Sequence, residues 1–128
     1  MWLGAEKEEL ERKIVMHILD GISVGGFNSY FAHSNLSKDL KEKYSLYDID
    51  KLFHELEWNV KVIEIDRIYE TDAWYPWKGK GSVKKNMVQY RIRDEFQGWK
   101  YKPKLFEKIM ENLHKEDAMI DFDPVKDT

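Results

Sequence analysis

The chain has 128 residues, a formal net charge of −3, 42% apolar and 14% aromatic side chains, and no cysteine. This length supports one domain with a modest core, and the apolar content is too high for a disordered chain. The absence of cysteine excludes disulfides, zinc ribbons and thiol catalysis. No apolar run approaches the ~18 residues of a membrane span. The opening "MWLGAEKEELERK" is charged where a signal peptide carries its apolar segment. The expectation is an intracellular protein with no membrane partner, cytoplasmic in a prokaryote or virus and nuclear in a eukaryote.

The small net charge hides an asymmetry. Residues 78–104 carry nine basic side chains against two acidic ones, whereas 1–77 carry a surplus of six negative charges and 105–128 a surplus of four. A local basic patch of this kind can hold a polyanion even on an acidic protein.

In chain order, the spacing predicts a first helix over 6–22. Leu10, Ile14, Ile18 and Ile22 recur every four residues, widened by Val15 and Leu19, and glutamates crowd the first turns where they suit the helix dipole. The stretch "NSYFAH" (28–33) reads as a short strand. A second helix is expected over 36–44, with Ser34 as its N-cap, and a third from Ser45 to Trp58. Ser45 followed by Asp48 forms a capping-box pattern. In that third helix Ile49, Leu52, Phe53 and Leu56 mark the buried face, with Tyr47, Asp50, Lys51, His54 and Glu55 opposite. The period then falls from 3.6 to 2, and "VKVIEIDRIY" (60–69) and "NMVQYRIRD" (86–94) read as two strands of a hairpin. A fourth helix is expected over 102–116, with Pro103 in its first turn. The domain spans 1–116, and the acidic end, 117–128, reads as a frayed tail.

Between the two strands lies "WYPWKGKGSVKK" (74–85). Pro76 lacks an amide donor, and Lys78, Lys80, Lys84 and Lys85 resist burial, so the segment reads as an exposed hairpin tip. The four lysines suit phosphates, Gly79 and Gly81 allow close backbone approach, and Trp74, Tyr75 and Trp77 suit sugars or unstacked bases. The plainer reading is a solvated loop whose tryptophans cover the core. "GKGSVKK" does not have the G-x-x-x-x-G-K-S/T spacing of a phosphate-binding loop.

The order helix, short strand, helix, helix, hairpin with a basic tip resembles the winged-helix domain over residues 8–94. The segment "NLSKDLKEKYSLYDIDKLFHELEW" carries that resemblance. It implies an α+β fold: a three-helix core, a two-stranded β-hairpin wing and an additional C-terminal helix. It further implies a DNA-binding regulator of transcription whose third helix enters the major groove while the wing follows phosphates. The nucleic-acid-binding residues on this reading are Lys78, Lys80, Lys84, Lys85, Trp77, Arg91 and Arg93 of the hairpin, with Tyr47, Lys51 and His54 of the third helix. The partner is double-stranded DNA, and a homodimer is expected through the first and fourth helices, because Leu105, Phe106, Ile109 and Leu113 make a stripe large for one small core.

A narrower resemblance links "GFNSYF" (26–31), Leu36, Leu40, Ile49 and "VIEID" (62–66) to the MRG-binding subunit of eukaryotic histone acetyltransferase complexes. The chain departs from that family at Asp50, where a Trp is expected, and in its longer, more basic hairpin. This resemblance implies an interaction subunit of a chromatin or transcription complex, with a protein partner at the acidic third helix. That helix also has few base-reading side chains, Lys51 being its one residue of a common base-reading type.

No enzyme is expected. His17, His33, His54 and His114 have no metal-ligand spacing, and Asp121, Asp123 and Asp127 lack the glycine and final glutamate of a calcium loop. No nucleophile is placed with a base, so neither metal nor cofactor is expected.

Overall fold

The computed structural model describes residues 4–25, 28–74 and 82–122. Helix α1 (Gly4–Val24) is the rod around which the core assembles. Its stripe Ile14, Val15, Ile18, Leu19 and Ile22 is buried, each side chain contributing about 1.5–3 kcal/mol through the surface it withdraws from water. The helix runs through Gly21 rather than ending there.

The expected strand at 28–33 is a helix, α2 (Ser29–Ser34). Asn28 caps it, accepting from the Phe31 amide at 3.0 Å, and Ala32 and Leu36 bury one helical turn apart. An N-cap and an i,i+4 apolar pair outweigh the strand preference of Tyr30 and Phe31. The next helix, α3 (Lys38–Lys43), is shorter than expected and is capped by Ser37, not Ser34. Ser34 closes α2 instead, its hydroxyl donating to the Phe31 carbonyl at 3.1 Å.

Helix α4 (Leu46–His54) starts as its sequence requires. Ser45 accepts from the Asp48 amide at 3.1 Å, and Asp48 accepts from the Ser45 amide at 2.9 Å. Ile49, Leu52, Phe53 and Leu56 are buried. From Glu55 to Asn59 the helix widens into a π-helical turn, closed by Val60 N–H donating to the Glu55 carbonyl at 3.2 Å. Glu55, a residue expected on the exposed face, is only 6% exposed, with a His114 ring nitrogen 2.6 Å from its carboxylate.

Lys61, at φ 53°, reverses the chain between buried Val60 and Val62. Strands β1 (Ile63–Trp74) and β2 (Ser82–Ile92) then pair antiparallel, from Ile63 opposite Ile92 to Trp74 opposite Ser82, with a bulge between Ile65 and Arg67. The ladder extends beyond the expected strands. Trp74 and Ser82–Lys85, taken from sequence as part of the tip, belong to it, while 75–81 lie outside the described residues.

Two 3-10 turns, Asp94–Phe96 and Trp99–Tyr101, follow, separated by Gly98 at φ 75°. Trp99 is buried on Phe106, ring centroids 5.8 Å apart. Helix α5 (Pro103–Asn112) carries Pro at its start and buries Leu105, Phe106 and Ile109, with Leu113 just beyond. The stripe expected to be exposed is thus consumed by the chain's own core, which removes the surface on which the homodimer expectation was built. The acidic end is also not all frayed. Ala118, Ile120 and Phe122 pack against the core, and the Lys102 and Lys108 ammonium groups each sit 5.9 Å from the Phe122 ring centre.

Since Ile109 is fully buried, Ile109→Ala should cost about 2–5 kcal/mol of stability. Chemical denaturation checks this, and the effect should not depend on protein concentration. An effect that grows on dilution would return α5 to an intermolecular interface.

Candidate nucleic-acid interface

The hairpin is an arm whose two faces differ. Period-2 alternation and the ladder register put Ile63, Ile65, Ile68, Val88, Tyr90 and Ile92 on the face turned to α4. Glu64, Arg67, Gln89 and Arg91 take the outer face. Ten residues of β2 separate Ile92 from Ser82, so the arm runs roughly 30 Å.

On the outer face the arginines are already engaged. Arg91 donates to Asp94 at 2.7 Å and to Glu64, and Arg93 lies 3.3 Å from Glu64 and 3.5 Å from Glu95. Hydrogen bonds donated to Asp94 and then to Glu64 hold the Arg91 guanidinium above its ordinary range. Pairs this exposed are screened by solvent and add little to stability. Their consequence is neutralisation rather than stability. Arg67 donates to Gln89 Oε1 at 2.7 Å.

The lysines lie elsewhere. Lys84 and Lys85 sit on β2 in register with Asp72 and Thr71. Lys84 is seven residues along the strand from Arg91, roughly 20–25 Å away. Trp77, Lys78 and Lys80 fall outside the described residues. The basic side chains that sequence grouped together therefore divide into a base of paired arginines and a distal stretch of lysines.

Helix α4 presents Tyr47, Lys51, His54 and Trp58 along one exposed stripe, with the His54 and Trp58 rings 6.4 Å apart. Asp50 does not share that stripe. It lies with Phe53 and Glu57 on the flank beside the hairpin, where the Tyr90 ring packs on Phe53 at 5.3 Å and its hydroxyl bonds to Glu57. Burial first, then the charges of Glu57 and Asp50, push the Tyr90 hydroxyl up to about 12. Burial also raises the Glu57 carboxyl, against the opposing effects of Tyr90 and His54. Sequence reasoning missed this cluster. The available signal was the i, i+3, i+7 spacing of Asp50, Phe53 and Glu57, which makes one helix stripe.

On the far side of α4 a groove of about 890 Å³ runs between α1, α4 and α5. His114 stands in it between Glu11 and Glu55, each ring nitrogen 2.6 Å from a carboxylate oxygen. The Glu55 contact is one of proximity rather than a directed hydrogen bond. Arg12 pairs with Glu107 at the rim. The lining is predominantly acidic, with Glu8, Asp48, Glu111 and Glu116 joining these residues against Lys7, Arg12 and Lys51. His17 and His33 approach the Ala32 and Tyr44 carbonyls at 3.0 and 3.1 Å. Among the described residues no His, Asp and Glu cluster has a metal-binding arrangement, and no helix is long and apolar enough to cross a membrane.

The Tyr90 environment gives a pH prediction. The folded chain keeps the Tyr90 proton to about 12, whereas an unperturbed tyrosine loses it near 10.0, so the native state binds more protons within that window. Stability contributed by this group should be complete below 10.0 and fall as pH rises to about 12. Tyr90→Phe should flatten the alkaline stability profile across that window, as read by denaturation at several pH values. A slope equal to the parent's would show that Tyr90 is not held in this environment.

No family model matches the chain, and no curated protein or solved structure is similar to it beyond chance.

Proposed function

We propose that the protein binds double-stranded DNA without catalysis, as a winged-helix regulator that grips phosphates through the hairpin arm. The observation that carries this reading is the length of the arm combined with its charge distribution. Lys84 and Lys85 continue the ladder well beyond the core, and Lys78 and Lys80 follow Trp77 in the connecting segment. Arg91 and Arg93, paired at the base, are spectators on this reading, and the tip supplies the phosphate contacts. Ammonium groups meet phosphates as point charges, so the contact is strong in charge and poor in sequence information.

A second reading is a winged-helix interaction subunit whose α4 faces protein. Asp50 and Glu57 favour it, because carboxylates beside α4 repel phosphates.

Replacing Lys78, Lys80, Lys84 and Lys85 by Ala should weaken binding to every duplex about equally. The salt dependence should flatten, its slope falling by roughly 0.9 for each phosphate that is no longer neutralised. Titrations of parent and variant at several salt concentrations measure both quantities. An unchanged affinity and slope would make the tip a solvated loop.

A further inference from the structure

The arm and α4 share a second surface that does not use the lysine tip. The Phe53–Tyr90 contact closes its base. Beyond that contact Ile65 and Ile68 continue the same face of the hairpin at 43% and 61% exposure, and Trp58 on the π-helical turn is 56% exposed. Asp50 and Glu57 flank Tyr90, and among the described residues neither has a cation within ion-pair distance. The arginines of the arm are engaged on its opposite face.

We infer that the surface shared by the α4 flank and the inner face of the hairpin docks a protein segment in which apolar side chains alternate with lysines or arginines. The inference rests on the second reading above, that α4 faces protein, and adds the partner's chemistry. Exposed isoleucines beside Asp50 and Glu57, neither of which makes an ion pair among the described residues, call for apolar groups and positive charge together. Duplex DNA supplies the wrong charge. A second copy of the chain supplies the wrong complement, since the described part of this face carries acids and no cation.

The test is an amide chemical-shift titration of the full chain with three synthetic peptides of about 14 residues. All three share one pattern of Leu and Phe, interspersed with Lys, Gln or Glu. The Lys peptide should bind tightest and shift residues 50–58, 65–68 and 88–90. Asp50→Asn with Glu57→Gln should weaken it about tenfold, the order expected for two interface charges of this exposure. Ile68→Ser, at an exposed position, should weaken it without changing charge. Asp39→Asn with Glu42→Gln, which changes net charge equally on α3, should leave binding intact. Equal weakening by both charge variants would reduce the effect to long-range attraction and overturn the inference. Equal or tighter binding of the Gln or Glu peptide at the same residues would overturn the partner's chemistry while leaving α4 a protein-facing surface. Concentration-dependent shifts of these residues without peptide would make the occupant a second copy and overturn the inference. Shifts of the α4 flank on adding duplex DNA would overturn the inference together with the second reading.

Discussion

The contact between Phe53 and Tyr90 is the joint on which the molecule's surface chemistry depends. Phe53 is buried from α4, and Tyr90 approaches it from β2 at 5.3 Å. Aromatic pairs at such separations add about 0.5–1.5 kcal/mol beyond their buried area. The geometric consequence matters more than the energy. One end of a long hairpin is fastened beside a helix, and the ladder projects the rest of the arm away from the core.

From that joint the charges sort themselves. The outer face of the arm gathers Arg91 and Arg93 onto Glu64, with Asp94 and Glu95 completing the set. The inner face takes the β-branched residues and turns them toward Asp50 and Glu57. Lys84 and Lys85 lie further along the ladder, in register with Asp72 and Thr71. On the readings proposed above, a polyanion and a basic peptide would meet adjoining stretches of the same arm, since Val88 and Lys85 lie three residues apart on β2.

Much of the helical architecture was legible because it is encoded locally. The apolar stripes of α1, α4 and α5 and the Ser45–Asp48 capping box all lie within a few residues of one another in sequence, and each appears where its pattern puts it. Elements decided by competition between local signals were harder to read. Asn28 as an N-cap overrode the strand preference of Tyr30 and Phe31, and Ser37 displaced Ser34 as the cap of α3. Features that require tertiary partners were not legible at all. The exposed-looking stripe of α5 is buried because α1 and Trp99 meet it. The arginines are neutralised because the register sets Glu64 opposite Arg91. Glu55 is buried where His114, distant in sequence, comes to lie against it. The candidate lysines were plain from composition, but their division from the arginines appeared only when the ladder fixed how far apart they lie.

The central claim is that the arm carries a phosphate-binding tip distinct from an acidic and apolar surface. Its most direct test is to map amide shifts on adding a short random-sequence DNA duplex at low and then high salt. The account predicts shifts confined to residues 75–86 that disappear as salt rises, with the exposed stripe Tyr47, Lys51, His54 and Trp58 unmoved. Salt-resistant shifts along that stripe would contradict it, because α4 would then be reading bases.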